Sequence, residues 1–172
     1  MTRNIRAAVL LSTVLIAGCR STPERVVAAE PPPPPRDWVG EIRERAASVP
    51  SYVEVLPLND PGIADLRAQA RQAEAQRRYA EADERLARAL ELMPDDPELW
   101  QWRAELALSE HRWQDAEAHA RQSEAIGPKL GRICVRNWMT LLAVSEETGN
   151  AAARAEAAAR AESCPVRAPV RL

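Results

Sequence analysis

The chain has 172 residues and a formal net charge of -2, from 23 basic and 25 acidic residues. That length suits one ordinary domain with attachments, and a hydrophobic content of 46% excludes a wholly disordered chain. The charge balance is near neutral and lacks the excess of basic residues that is typical of nucleic-acid binding, so no nucleic-acid partner is expected. The chain has no Phe and only 2 Tyr, while Ala, Arg, Glu and Leu are abundant in its second half. Composition therefore predicts an all-α domain.

The first residues have the features of a targeting segment. Two arginines precede an apolar run from Ala7 to Ala17, which is too short to span a bilayer as a stable helix. The run ends in Leu-Ile-Ala-Gly followed by Cys19, which resembles the bacterial lipoprotein box, an aliphatic residue and two small residues before the cysteine that accepts the lipid. The resemblance implies a signal peptide over residues 1–18 and lipidation of Cys19. An ordinary secretory signal with a chance cysteine is the alternative.

The residues after Cys19 bear on where such a lipoprotein resides. Arg20 follows the cysteine, whereas in the enteric pattern an Asp there retains the protein in the inner membrane. The resemblance therefore implies the outer membrane, with the protein lipid-anchored on the periplasmic face. Residues 19–36 include five consecutive prolines and are predicted to be a stiff tether. Extended from residue 20 to about residue 60, the chain would reach on the order of 120 Å at roughly 3.1 Å per residue; a plain spacer is equally compatible.

Residues 37–59 are predicted to be a partly ordered amphipathic segment. Asp37 is a candidate helix cap, and Trp38, Ile42, Ala46 and Val49 follow at helical spacing. The stretch after Pro50 is too apolar for a free linker. We expect these residues either to pack along the helical domain or to become ordered on a partner.

Residues 60–164 are predicted to form a repeat domain. Eight positions of one segment recur 34 residues later as similar or fitting residues: Leu66, Ala70, Ala73, Tyr79, Ala82, Leu86, Ala89 and Pro94, then Trp100, Ala104, Ala107, Trp113, Ala116, Ala120, Ser123 and Pro128. Period and residue types resemble the tetratricopeptide repeat, which implies helical hairpins. The resemblance covers about residues 61–130.

The boundaries of the hairpin helices follow from local signals. Asp60-Pro61 and Asp96-Pro97 each supply a capping oxygen followed by proline at the first helical position. The spacing predicts helices near 61–75, 79–92, 97–109 and 113–126. A degenerate third hairpin is predicted from Ile133 to Glu147 and from Ala151 to Ser163, and a loose tail over residues 165–172.

Cys134 lies near the start of the predicted fifth helix and Cys164 just past the end of the sixth. These ends are neighbours in an antiparallel hairpin, and the implied compartment is oxidising. The pair is therefore predicted to form a structural disulfide. A redox-active cysteine pair is the functional alternative, although the chain has no CxxC motif.

The sequence carries no signal of catalysis. The two histidines, His111 and His119, lack ligand partners at metal-binding spacing. No serine has a base motif nearby, and no glycine-rich loop accompanies the acidic pairs. We expect no enzyme activity, no metal and no cofactor.

The expected working surface is the face built from the first helix of each hairpin, and the chain is expected to be a monomer. Five of its residues are candidates for partner binding: Arg67, Arg71, Gln101, Trp102 and Glu105. Trp102 adds a second indole beside Trp100, and large amphipathic rings are frequent binding anchors. Packing of Trp102 against residues 50–58 is the alternative.

A closer resemblance is carried by residues 84–94 with 97–100, by residues 116–123 and by Arg136-Asn137-Trp138. With the lipoprotein box and proline tether, they resemble the small tetratricopeptide-repeat outer-membrane lipoproteins of pseudomonads. That group activates bifunctional peptidoglycan synthases, the class A penicillin-binding proteins. The resemblance implies a non-enzymatic regulator whose partner is the periplasmic domain of such a membrane protein. A pilot lipoprotein for an outer-membrane complex and a cell-wall hydrolase are the alternatives from other classes.

Overall fold

The computed structural model describes residues 35–50 and 60–164, and these residues form seven α-helices and no strand. This confirms the expected all-α class. The helices are α1 Trp38–Ala47, α2 Pro61–Ala75, α3 Tyr79–Leu92, α4 Pro97–Ser109, α5 Trp113–Ile126, α6 Gly131–Glu147 and α7 Ala151–Ser163. The predicted signal peptide, Cys19, most of the tether, residues 51–59 and the tail lie outside the described residues.

Helices α2 and α4 begin as their sequences predict. The Asp60 carboxylate accepts a hydrogen bond from the Gly62 amide at 2.7 Å, and the Asp96 carboxylate accepts one from the Glu98 amide at 2.8 Å. Each capping residue is followed by proline at the first helical position, where the missing amide proton costs nothing. The four predicted ranges for α2 to α5 match the structure.

From α2 onward, each helix packs mainly on its neighbours in the chain, so that α2–α3, α4–α5 and α6–α7 form three hairpins. Each helix of the first two hairpins has a fully buried alanine at an equivalent position: Ala70, Ala82, Ala104 and Ala116. A larger side chain at any of these positions would push the helix axes apart, since buried sites are already close-packed.

The three hairpins turn in the same way. After each first helix one residue adopts a positive φ, namely Arg77, His111 and Gly149. The amide of the next residue then donates to a carbonyl five positions back, as from Arg78 to Ala73 at 2.9 Å, which is the Schellman closure. The third turn lies 38 residues after the second rather than 34, because α6 has 17 residues and α4 has 13. That difference is why the third hairpin is out of register in the sequence.

The third hairpin carries the predicted cysteine pair. The Cα atoms of Cys134 and Cys164 are 5.6 Å apart, their sulfurs are at bonding distance, and both residues are buried. The separation of the Cα atoms is normal for a disulfide. The predicted pairing within one chain is therefore present, and it joins the start of α6 to the end of α7.

Candidate functional site: the first-helix face

We call the surface formed by α2, α4 and α6 the first-helix face, because these are the first helices of the three hairpins. Helix α1 packs on α6 and α4 and so covers part of this face. Its apolar side consists of Trp38, Ile42 and Ala46, with Val49 just past its end, and all four residues are 0–7% exposed. The spacing of these residues puts them on one side of a helix. The helix predicted after Asp37 is therefore present, whereas the expectation for the stretch after Pro50 concerns residues 52–58, which lie outside the described part of the chain.

Polar contacts fix the direction of α1. At its start, the Trp38 indole donates to the Glu147 carboxylate at 2.7 Å. At its end, the Arg132 guanidinium donates to the Val49 carbonyl at 3.2 Å. Glu147 is the last residue of α6 and Arg132 is its second, so α1 runs antiparallel to α6.

A buried carboxylate lies beneath α1. Glu105 is fully buried, and one of its oxygens accepts from the Arg43 Nε of α1 at 2.7 Å, while the other accepts from the Arg136 Nε of α6 at 2.7 Å. Burial alone would raise the pKa of Glu105. The two guanidiniums, Arg136 foremost, outweigh it and hold the pKa below the ordinary value. Glu105 is therefore an anion that joins α1, α4 and α6.

The ion pairs continue along the face in both directions. Arg43 also pairs with Glu74 of α2 at 2.8 Å, and the Trp102 indole donates to the other oxygen of Glu74 at 2.8 Å. On the opposite side Arg136 pairs with Glu98 at 2.6 Å. Arg43 is thus the link through which the short α1 contacts the first hairpin.

Three further buried polar residues belong to α4 and α6, and some of their atoms lack partners. Gln101, Asn137 and Thr140 are all fully buried. The Gln101 amide nitrogen donates to the Thr140 hydroxyl at 2.7 Å. The Gln101 carbonyl oxygen and both polar atoms of the Asn137 amide have no hydrogen-bond partner. Each such buried group costs free energy comparable to a lost hydrogen bond.

The structure separates the five predicted partner-binding residues into two groups. Gln101 and Glu105 are fully buried and so are not surface contacts in this structure. Gln101 donates to Thr140 of α6, and Glu105 pairs with Arg43 of α1. Arg71 is exposed, and Arg67 and Trp102 are partly exposed. Arg67 is paired with the buried Asp96, and Trp102 packs on the core between the first two hairpins.

Arg43 and Arg136 are functional candidates that the sequence reasoning missed. The sequence contains a signal for them, because Glu105 is the one charged residue among the apolar residues from Ala104 to Leu108. The structure buries all five of these residues. A charge in such a run needs a buried partner of opposite sign. The position of that partner in the sequence depends on long-range packing, which no local pattern specifies.

Neither histidine lies in a ligand-like cluster. His119 is near the Trp100 ring, with centroids 5.5 Å apart, and burial and then the Arg103 charge lower its pKa. The rings of His111 and Trp113 are roughly perpendicular, with their centroids 5.1 Å apart. Within residues 35–50 and 60–164 no group of three or more His, Cys, Asp or Glu side chains is arranged to hold a metal ion.

Comparison with models of known protein families gives no match, and comparison with curated proteins gives none either. In the part of the chain that the structure describes, no helix is both long and apolar enough to cross a membrane.

Proposed function

We propose that the chain is an outer-membrane lipoprotein, anchored through Cys19, whose tetratricopeptide-repeat domain binds a protein partner in the periplasm. The partner proposed is the periplasmic domain of a class A penicillin-binding protein, and binding raises its activity. The observation that carries the proposal is the first-helix face, which binds an amphipathic helix of the chain itself through an apolar ridge and a buried ion pair.

The three hairpin turns support the assignment of the repeat type. Arg77 and His111 are 34 residues apart, which is the period of the repeated pattern, and both turns close with the same backbone hydrogen bonds. The fully buried alanines where paired helices meet are consistent with the small residues of that repeat. The disulfide favours an oxidising compartment such as the periplasm.

The packing of α1 shortens the tether. Because α1 is part of the folded domain, only residues 20–36 remain between the anchor and the domain, and not residues 20–60. Fully extended at roughly 3.1 Å per residue, that segment spans about 50 Å rather than about 120 Å. The proposed partner must therefore present its docking surface within this smaller distance of the outer membrane, plus the width of the domain.

The accessible part of the first-helix face lies beside α2, where α1 does not cover it. Arg71 is exposed there, and Trp102 is partly exposed one helix away. Large rings and arginines are the side chains on which protein interfaces most often depend. We assign the first contact with the partner to these two residues, with Arg67 held nearby by Asp96.

The test is a binding measurement with purified synthase and single variants. Arg71→Glu and Trp102→Ala should each weaken binding about tenfold or more, as expected of anchors in an interface. Arg121→Glu is the matched control. Arg121 is also an exposed arginine paired with a glutamate, Glu117, but it lies on α5, the second helix of its hairpin, and so outside the first-helix face. Equal affinity for the wild type, Arg71→Glu and Trp102→Ala would contradict the assigned site.

A further inference from the structure

The ion pairs beside α2 turn their arginines outward and their carboxylates inward. The Arg67 side chain is 28% exposed, whereas that of its partner Asp96 is 5% exposed. The Arg43 side chain is 41% exposed, whereas those of its partners Glu74 and Glu105 are 17% and 0% exposed. The charged groups that a partner can contact at this place are therefore mainly guanidiniums.

Arg71 adds a charge that no internal ion pair uses. In the described part of the chain, the ion pairs of α2 involve Arg67 and Glu74, and the exposed Arg71 takes part in none. Arg67, Arg71 and Glu74 are four and three residues apart in sequence, so they follow one stripe of the helix. Arg71 can bind a carboxylate of a partner without first breaking an ion pair of the chain.

Trp102 offers a partner only the carbon atoms of its ring. Its indole N–H donates to one oxygen of Glu74 at 2.8 Å, and the other oxygen of Glu74 pairs with Arg43 at 2.8 Å. The one polar atom of the indole is thus used inside the chain, while the side chain stays partly exposed. An apolar side chain of the partner suits such a ring.

We propose that the surface beside α2 binds a segment of the partner in which an acidic residue lies close to an apolar residue. The acidic residue binds Arg71, with the outward guanidinium of Arg67 one turn away, and the apolar residue packs on the Trp102 ring. Glu74 is a positioning residue, because its carboxylate holds the indole beside α2. This inference rests on the proposed function and specifies the chemistry of the partner's contact.

The salt dependence of synthase binding tests the acidic contact. Salt screens exposed charges, so the affinity of the wild-type chain should fall about tenfold between about 0.05 M and about 0.5 M salt. Arg71→Gln removes one exposed charge and should bind about threefold more weakly at low salt and almost equally at high salt. Arg121→Gln is the matched control and should follow the wild type at every salt concentration, since Arg121 lies on α5.

Two replacements of Trp102 test which part of the indole the partner uses. Trp102→Phe keeps an apolar ring and lacks the N–H, so its affinity for the synthase should stay within about threefold of the wild type. Trp102→Ala removes the ring and should weaken binding about tenfold or more. Circular dichroism should show equal helicity for both variants. Equal losses in Trp102→Phe and Trp102→Ala would overturn the assigned role of the ring.

An exchange of charges tests the acidic residue of the partner directly. The probe is a set of synthase variants, each with one exposed Asp or Glu changed to Lys. One of them should bind the Arg71→Glu chain about fivefold or more tightly than the unchanged synthase does. Failure of every one of them to do so would overturn the acidic contact.

The outcomes separate this inference from the proposed function. Synthase binding that is independent of salt and unchanged in Arg71→Gln would overturn the acidic contact and leave the proposed function intact. If the wild-type chain does not bind the synthase at any salt concentration, the proposed function is wrong, and the inference is wrong with it.

Discussion

Replacing Glu105 with Gln tests the buried ion pair on which the first-helix face depends. The substitution keeps the shape and removes the charge, so that Arg43 and Arg136 face each other without the carboxylate between them. Removing one member of a buried ion pair typically costs 3–5 kcal/mol. Here the expected loss is about 3 kcal/mol, at the lower end of that range, because the Arg136 and Arg43 side chains are 17% and 41% exposed and can turn toward water.

Single replacements of the two arginines should cost less, and in a fixed order. Arg136→Met leaves Glu105 paired only with Arg43, whose exposed guanidinium is screened by solvent. Arg43→Met leaves the better-buried pair of Glu105 and Arg136 intact, so its cost should be about 1 kcal/mol or less. The predicted order of destabilisation is Glu105→Gln, then Arg136→Met, then Arg43→Met.

The same ion pair predicts how stability depends on pH. The folded-state pKa of Glu105 lies below the ordinary value of 4.5, so ionisation of this group stabilises the fold fully above that pH. The stabilisation is lost as the pH falls through the folded-state pKa. The difference in unfolding free energy between wild type and Glu105→Gln should therefore shrink in the acid range and stay constant near neutrality.

Urea denaturation followed by circular dichroism measures these free energies, with the linear slope checked for each variant. The reasoning would be refuted by a loss below about 0.5 kcal/mol for Glu105→Gln, which is the scatter of ordinary surface substitutions. It would also be refuted if Arg43→Met cost more than Glu105→Gln, because the half-exposed arginine would then be the main contributor.

Three further predictions concern the disulfide, the turns and the anchor. Cys134→Ser should lower the unfolding free energy by about 3–4 kcal/mol, since its bond to Cys164 closes a loop of about 30 residues; equal stability with and without reductant would count against this. Arg77→Gly should stabilise the fold by about 0.5–1 kcal/mol, because Arg77 has a φ of 57°, which glycine adopts without strain. His111→Gly should gain less, since it also loses the contact with the Trp113 ring. Thermal melts of the two variants compare these gains. Cys19→Ala should abolish fatty-acid labelling and release the protein from the outer-membrane fraction, and unchanged labelling would exclude lipidation at this residue.

Local chemistry made most of the helical architecture predictable. Capping aspartates followed by proline specify where α2 and α4 begin, and the 34-residue recurrence of small residues specifies which helices pair. The disulfide pairing followed from topology, because an antiparallel hairpin brings the start of its first helix to the end of its second. These inferences need only neighbours in sequence and one repeated unit.

The arrangement over the first-helix face could not be predicted in the same way. Asp37 and the spacing from Trp38 to Val49 indicate a helix, but they do not specify that it covers Glu105, which is 62 residues from Arg43 in sequence. Glu105 looked exposed because charged residues usually are. Its burial depends on two arginines on different helices, and the sequence does not show that α1 packs on α4 and α6.

The measurement that tests the central claim most directly is the rate of glycan-strand synthesis by a purified class A penicillin-binding protein, with and without soluble residues 20–172. The proposed function predicts saturable binding to the synthase and a higher rate of synthesis or cross-linking when the chain is added. If neither the rate nor the affinity for the synthase changes, the activator proposal is wrong, and a pilot lipoprotein for an outer-membrane complex becomes the better account.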